Sequence, residues 1–293
     1  MPELPDIEAY LAAMRPLIVG NRLDGVRVSS ISLLKTFDPP LDEASGKAVT
    51  GLSRLGKRIV FELDDDLYLV LHLMVAGRLL WKEPGAKIPG KIGQAAFDFA
   101  DGTLVLTEAG TKKRASLHHL RGEAALAEHD RGGIEVAAAS PEEFAERLRS
   151  ERHTLKRSLT DPRLFSGIGG AYSDEILHRA RLSPLARSDR LSDDEVERLR
   201  QGVIDVMTEW TDRLISEARE GFPTGVTAFR PEMAVHGRFG EPCPDCGSPV
   251  QRIRYASNET NYCASCQTDG KVLADRAMSR LLKDDWPKSL DEL

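Results

Sequence analysis

The sequence predicts an α+β protein: an N-terminal β-sandwich with one N-terminal helix, a helical domain and a C-terminal zinc β-ribbon. Strand-like segments fill residues 22–107, helical patterns dominate after residue 140, and all four cysteines lie within 243–266. A chain of 293 residues is long enough for two ordinary domains with their own cores. The predicted parts are the sandwich (1–135), the helical domain (136–235), the zinc ribbon (236–270) and a C-terminal extension (271–293).

The N-terminal part combines one amphipathic helix with a run of strands. Apolar residues recur at helical spacing over 5–17, and Pro5 stands in the first turn. Strand patterns follow, separated by turn signals at 64–66 and 101–102. The predicted strand segments are RLDGVRVSSI (22–31), KRIVFEL (57–63), LYLVLHLMV (67–75), GRLLW (77–81), AAFDF (95–99) and TLVLTE (103–108).

Helical patterns follow in the second half of the chain. Ser140, with a glutamate three residues later, has the spacing of a capping box and predicts a helix start. Further helices are predicted over 172–181, after the glycine-rich turn at 165–172, and over 192–218. A last helix, LADRAMSRLLK (273–283), precedes an acidic tail.

The four cysteines form the sharpest chemical motif. Cys243 and Cys246 make one C-x2-C pair and Cys263 and Cys266 another, with sixteen residues between the pairs. This spacing favours four thiolates around a tetrahedral zinc ion, with VQRIRYA (250–256) as a strand between them. Two redox pairs or two disulfides are the alternatives, and neither suits a reducing compartment. Four cysteine ligands leave no position for water, so we assign the zinc to folding and not to catalysis.

Composition places the chain among globular proteins and limits its partners. The hydrophobic content is 41%, the charged content is 29%, and no stretch approaches about 18 consecutive apolar residues. A signal peptide is not recognisable, so we expect a cytoplasmic protein that does not enter a membrane. The net charge of −6 argues mildly against a nucleic-acid partner. Positive charge nevertheless gathers at 111–114 and 147–157. These runs are compatible with a basic DNA-binding face and, more simply, with solvated helix surfaces.

The N-terminus allows two interpretations. In the simpler one, Pro5 starts the first helix and the preceding residues are a frayed end. In the other, removal of Met1 gives Pro2 a free secondary amine beside the carboxyl group of Glu3, a pair that could attack an aldehyde. These few residues cannot choose between the two interpretations by themselves.

Five motifs occur in an order that is specific as a set. They are PELPDIE (2–8), RLGKRIVFEL (54–63), HLMVAGRL (72–79), GIGGAYSDEILHRARLSP (167–184), and the pair VHGRFGEPCPDCGSPV (235–250) with TNYCASCQ (260–267). Together they resemble the formamidopyrimidine-DNA glycosylase and endonuclease VIII family of base-excision repair enzymes over residues 1–268. The resemblance implies a helix–two-turn–helix element in the helical domain, damaged double-stranded DNA as the partner, and a monomer associated with the nucleoid.

The same resemblance assigns chemistry to the N-terminus. It implies that the imino nitrogen of Pro2 attacks C1′ of a flipped-out nucleotide and forms an iminium. Glu3 would move protons to the opened sugar and assist elimination. The family lysine falls at Lys57, as an acid or a phosphate contact, although alone it would read as one more solvated lysine. We therefore expect excision of damaged bases and cleavage of the abasic strand by β-elimination.

The resemblance also implies a set of DNA-binding positions. They are His72, Lys113, Arg114, Lys156, Gly169, Gly170, Tyr172 and Asn258. Without the family context, His72 reads equally well as a core histidine, and Lys113 and Arg114 read as surface charges.

Three features depart from the family pattern. Gly170 stands where the family has a phosphate-binding asparagine, and the N–H groups of Gly169 and Gly170 could partly replace it. Asn258 stands where the family has a phosphate-binding arginine. The loop TEAGTKKRASLHHL (107–120) replaces an Asp-Pro-Arg-Arg-Phe pattern and supplies no aromatic wedge. We therefore expect a divergent member of the family that keeps the Pro2 amine and binds DNA through an altered set of contacts.

Other functional classes stay in competition with this hypothesis. A non-catalytic damaged-DNA-binding protein on the same scaffold is the main alternative, and the retained Pro2 and Glu3 argue against it. An enzyme limited to the lyase step is a close variant, because that step needs only an amine and an aldehyde. A zinc-ribbon protein of the transcription machinery would leave the β-domain and the N-terminus unexplained.

Overall fold

The computed structural model describes residues 1–226, 228–255, 258–274, 281 and 287–292. They belong to two compact units. Unit 1 comprises Met1–Arg131 and Glu209–Thr227, and unit 2 comprises Gly132–Thr208 and Ala228–Leu293. The helix predicted over 273–283 lies almost entirely outside the described residues, and the predicted four-part division of the chain stays a prediction.

Unit 1 is an antiparallel β-sandwich with one long N-terminal helix. One four-stranded sheet has the order β1-β6-β7-β5 and the other the order β2-β3-β4-β8. The elements are α1 Leu4–Ile18, β1 Gly25–Val28, β2 Val49–Leu55, β3 Arg58–Leu63, β4 Leu67–His72, β5 Gly77–Lys82, β6 Gly93–Phe99, β7 Gly102–Glu108, β8 Ser116–Arg121 and α2 Glu123–Ala127.

The core of unit 1 lies between the two sheets and under α1. Along β3, Ile59 and Phe61 enter this core while Val60 packs in a separate cluster, as the two-residue period of a strand requires. The rings of Phe61 and Phe97, from opposite sheets, stack with their centroids 5.5 Å apart. Tyr10 of α1 is fully buried in the same core. The predicted sandwich with one N-terminal helix is therefore confirmed.

Two strands differ from the sequence-based expectation. Strand β8 begins inside the segment predicted as the loop 107–120, and β7 ends inside it, so the irregular part is only 109–115. In β8 the alternation of apolar and polar residues is interrupted, because the polar His119 is fully buried, so the pattern did not indicate a strand. Strand β2 also gave no clear signal, because it contains Gly51 and a register shift next to it. A Cβ atom at Gly51 would come within 2.4 Å of the Glu62 carboxylate, so a larger residue there would have to displace that side chain.

Unit 2 contains the first two helices predicted after residue 140, the first part of the third, and the cysteine ribbon. The Ser140 hydroxyl accepts the N–H of Glu143 at 3.1 Å, which confirms the predicted helix start. Within the described part of the chain, no helix is both long and apolar enough to cross a membrane. The elements are α3 Pro141–Arg149, α4 Leu155–Thr160, α5 Gly170–Arg179, α6 Asp193–Glu220 (which continues into unit 1), β9 Val250–Arg254, β10 Glu259–Cys263 and α7 Ala264–Thr268.

Candidate active site and zinc centre

The N-terminus of unit 1 is buried and surrounded by charged groups. Glu3 caps α1, and the carboxylate of Asp6 accepts the Glu3 N–H at 2.9 Å, so the two acids form a capping box. Their exposed fractions are only 2% and 3%. Burial lowers the pKa of the Met1 amine; Arg78 and Lys57 lower it further, whereas Glu3 and Asp6 oppose the shift. The fold therefore places the terminal amine, the carboxylates of Glu3 and Asp6, and the cations of Arg78 and Lys57 within electrostatic reach of one another.

Lys57 reaches this point from a tight hairpin. It follows Gly56 in the two-residue turn between β2 and β3, where Leu55 pairs with Arg58. Gly56 has a φ of 61°, which a glycine at the first central position of such a turn adopts without strain. Burial lowers the pKa of Lys57, and the nearby Glu3 opposes this shift. The predicted catalytic residues Glu3 and Lys57 therefore lie within electrostatic reach of each other.

An ion pair fastens this hairpin to α1. Arg54 on β2 contacts Glu8 of α1 with an Nε–Oε1 distance of 2.9 Å, and its side chain is only 12% exposed. The same guanidinium donates to the carbonyl of Gly56 at 2.8 Å. Arg54 thus connects the helix that begins at the N-terminus with the turn that carries Lys57.

Arg78 and Asp6 belong to the site and were not singled out from the sequence. The Arg78 Nε donates to the carbonyl of Val226 at 2.6 Å, and another guanidinium nitrogen donates to Gly77 at 2.7 Å. Nothing in the pattern GRLLW marks this arginine as a neighbour of the terminal amine. Asp6 carried a usable signal, because it stands three residues after Glu3 at a helix start.

His72 ends β4 as a half-buried, neutral imidazole. Its Nδ1 accepts the N–H of Met74 at 3.1 Å, so the ring proton resides on Nε2. Burial lowers the pKa of His72 to about 4, and the cations of Arg58 and Lys57 add to this shift. The bond also supports Met74, whose φ of 53° is uncommon for a residue other than glycine.

The basic loop 109–115 is organised by a buried acid. Glu108 is 1% exposed, and its carboxylate accepts the N–H groups of Arg114 at 2.9 Å and Ala115 at 3.3 Å. The Lys113 ammonium donates to the carbonyl of Glu108, and Arg114 is exposed. Glu108 therefore sets the shape of the loop that carries both predicted DNA-binding cations.

His118 gives unit 1 a testable dependence on pH. Its ring meets that of His129 edge-on with centroids 4.4 Å apart, and burial lowers the pKa of His118 from 6.5 to about 4. The fold thus favours the neutral ring, so this stabilisation is present above pH 6.5 and is lost as the pH falls toward 4. Between pH 7 and pH 5, the free energy of unfolding measured with urea should fall by about 1 kcal/mol less in His118→Phe than in the unaltered protein. This value is reduced because the ring is partly exposed. Equal losses in the two proteins would contradict this assignment.

The first turn of α5 in unit 2 covers a buried polar network. Gly169 caps the helix and Gly170 begins it. The Lys156 ammonium donates to the carbonyl of Gly170 and to the carboxylate of Asp174, which is fully buried. The other Asp174 oxygen lies 2.7 Å from Nδ1 of His236. Sequence reasoning identified the lysine and the glycines but not this aspartate and histidine, which are separated by more than sixty positions.

The two remaining predicted DNA-binding residues lie in different surroundings. Tyr172 on α5 is 2% exposed and belongs to the interior of unit 2. Asn258 is exposed beside the start of β10, and its carbonyl accepts the N–H of Tyr255 at 2.8 Å. Across the ribbon, Arg254 pairs with Glu259 in the strand register. An arginine therefore stands close to Asn258 on the facing strand.

The four cysteines meet at one point of the ribbon. Their Sγ atoms all lie within 4.8 Å of one another; Cys246 and Cys263 are 3.4 Å apart, and Cys243 and Cys266 are 4.0 Å apart. Zinc–sulfur bonds of about 2.3 Å in a tetrahedron require sulfur atoms separated by about 3.8 Å. Both of these contacts join cysteines from different C-x2-C motifs, and all four sulfur atoms lie near enough to one another to share one ion. The residues therefore fit a zinc ion with four thiolate ligands.

Comparison with known proteins identifies the family. Residues 1–117 match the formamidopyrimidine-DNA glycosylase N-terminal domain, 135–214 match the formamidopyrimidine-DNA glycosylase H2TH domain, and 240–268 match the zinc finger found in FPG and IleRS. A formamidopyrimidine-DNA glycosylase of Thermus thermophilus is 32% identical over 285 residues, covering 92% of this chain and 100% of that protein. This chain belongs to the formamidopyrimidine-DNA glycosylase family. A relative of the same name from Exiguobacterium sibiricum is 30% identical over 275 residues, covering 91% of this chain and 99% of its own length.

Solved structures of formamidopyrimidine-DNA glycosylases have the same fold. The Lactococcus lactis enzyme bound non-covalently to DNA containing an AP site matches with a TM-score of 0.79 and 25% identity, over 91% of this chain and 99% of its own. The complex of the same enzyme with a THF-DNA and an inhibitor matches with a TM-score of 0.80 and 25% identity, over 91% and 100% of the two chains.

Family membership settles several predictions. The family, the α+β fold class, the class of base-excision DNA glycosylase with AP lyase activity, and the structural zinc ion are confirmed. The non-catalytic alternative is not favoured. The roles of individual residues stay predictions.

Proposed function

We propose that this formamidopyrimidine-DNA glycosylase excises damaged bases through the amine of Pro2 and then cleaves the abasic strand by β-elimination. The cluster of amine, Glu3 and Lys57 at the buried N-terminus carries the proposal. The ion pair of Arg54 and Glu8 joins the Lys57 hairpin to α1, the helix that Glu3 caps.

Removal of Met1 makes Pro2 the terminal residue and gives it a secondary amine. The burial and the cations that lower the pKa of the Met1 amine surround this end of the chain, so we expect the same direction for Pro2. A lowered pKa leaves more amine unprotonated and nucleophilic at neutral pH. The nitrogen bonds to C1′, the damaged base leaves, and the opened sugar stays attached as an iminium.

The neighbouring residues move protons around this intermediate. The buried carboxyl group of Glu3 supplies a proton to the opening sugar and assists the elimination that breaks the strand. Lys57, whose pKa is lowered by burial, can give up a proton more readily than a solvated lysine or can bind a phosphate as a cation.

The predicted DNA contacts divide between the two units. In unit 1, neutral His72 would donate its Nε2–H to a phosphate oxygen, and Lys113 and Arg114 would present positive charge from the loop that Glu108 holds. In unit 2, phosphate would meet the N–H groups at the start of α5 and the Lys156 beside them. Asn258 offers a neutral side chain, and the buried Tyr172 would act by holding α5 in place.

The expected setting follows from this activity. An enzyme that works on damaged bases must reach chromosomal DNA, so we propose a cytoplasmic monomer associated with the nucleoid. The sandwich (1–135), the helical domain (136–235), the zinc ribbon (236–270) and the extension (271–293) are proposed as its functional parts.

Borohydride trapping distinguishes an enzyme from a binder. The protein is mixed with a duplex containing one abasic site, treated with borohydride, and separated from free DNA. We expect a covalent adduct with this duplex and none with the intact duplex. Glu3→Gln should form the adduct but cleave the strand about 10²–10⁴-fold more slowly, because the amine remains while the proton carrier is lost. Tight binding to abasic DNA without any adduct would contradict the proposed function and support the binder.

A further inference from the structure

Helix α5 holds the segment that leads into the zinc ribbon. The carboxylate of Glu175 accepts three consecutive backbone N–H groups, those of Ala234 at 2.7 Å, Val235 at 3.0 Å and His236 at 2.9 Å. One turn further along the same helix, Nε2 of His178 lies 3.3 Å from Sγ of Cys243. The helix therefore makes a polar contact with a zinc ligand in addition to its backbone contacts.

The chemistry of the two partners fixes the direction of this hydrogen bond. A zinc-bound thiolate can accept a hydrogen bond but has no proton to donate, so Nε2 of His178 must carry the hydrogen. His178 is 4% exposed, and the carboxylate of Asp245, at 4.0 Å from Nε2, is too distant to compete for it.

We propose that His178 is a positioning residue of the zinc centre, which donates a hydrogen bond to the Cys243 thiolate, fixes its orientation and slows release of the metal. Four thiolates around one Zn²⁺ leave two net negative charges, and N–H donors that point at the sulfur atoms reduce that excess. His178 supplies such a donor for Cys243, and it does so from the helix whose first turn is the proposed phosphate site.

Zinc transfer to a chromophoric chelator tests the inference directly on the zinc-loaded full chain. His178→Phe keeps a ring of similar size and removes the N–H donor, and His178→Gln restores an N–H group near the same position. We expect the phenylalanine variant to release zinc about 10–100-fold faster, the usual effect of losing a partner of a metal ligand, and glutamine to recover part of the loss. Ile176→Val is the matched control, since Ile176 is fully buried on the same helix and lacks a polar group.

A cobalt-substituted protein provides a readout that a simple packing defect would not move. Replacing zinc by Co²⁺ gives a sulfur-to-metal charge-transfer band whose energy depends on the electron density of the thiolates. His178→Phe should shift this band to lower energy, while Ile176→Val leaves it in place. An unchanged band together with an unchanged release rate would overturn the inference. So would equal acceleration in the control variant with no recovery by glutamine. Neither measurement uses DNA, so both are independent of the proposed role of Pro2.

Discussion

A form of the protein with extra residues ahead of Pro2 is expected to lose covalent trapping on abasic DNA by a factor on the order of 10³ or more, because an amide nitrogen cannot form the iminium. A short tag at the N-terminus makes this form, and a form that retains Met1 should behave in the same way. The rate of adduct formation under borohydride is the quantity to compare with that of the mature protein.

The matched control for this experiment carries the identical tag at the C-terminus. It should trap abasic DNA at the rate of the mature protein and bind it with equal affinity. Fast trapping by the N-terminally extended form would contradict the assignment to Pro2 and indicate another amine.

Removal of zinc is expected to unfold the ribbon and to weaken DNA binding severely. The described residues form two small buried clusters here: Val235 and Val250 pack beside the ligands Cys243 and Cys263, and Ile253, Tyr262, Ala264 and Leu273 form the other. Clusters of this size are too small to fold without help, whereas structural zinc contributes about 10–16 kcal/mol in small zinc domains. Cys263→Ser should therefore lower the affinity for abasic DNA by at least about tenfold, one step of 1.4 kcal/mol.

The control for zinc loss is a substitution in the same turn that leaves all four ligands. Ser265→Ala removes a hydroxyl that bonds to Ser248 at 2.8 Å and keeps the cysteines. It should bind zinc and DNA normally, as measured by metal content and by titration of a labelled duplex. Full DNA affinity in a zinc-free Cys263→Ser protein would show that the ribbon is dispensable for binding.

The sequence predicted those features of the site that depend on the local spacing of residues. Two C-x2-C pairs constrain four thiolates to approach one point, and alternating apolar residues with turn signals define most of the sandwich. Gly56 and Lys57 between two strand patterns place a lysine in a hairpin turn. Each of these features depends on short motifs of a few residues or on the spacing between two such motifs.

Features that depend on distant pairs were not predictable in the same way. Arg78 approaches the terminal amine, and His236 pairs with Asp174, only because the tertiary fold brings them together. The burial of Glu108 was not predictable, because a glutamate at the end of a strand is equally compatible with an exposed position. The sequence does not distinguish His178 from the other polar residues of α5, because its contact with Cys243 joins positions that are 65 residues apart.

The position of the covalent bond tests the central claim most directly. Protein trapped on abasic DNA is digested with nuclease and protease, and the modified peptide is sequenced by mass spectrometry. We predict that the sugar remnant lies on the nitrogen of Pro2, in protein from which Met1 has been removed. Because Lys57 also has a lowered pKa and lies near the N-terminus, an adduct on its Nζ would contradict the account and make the hairpin lysine the nucleophile.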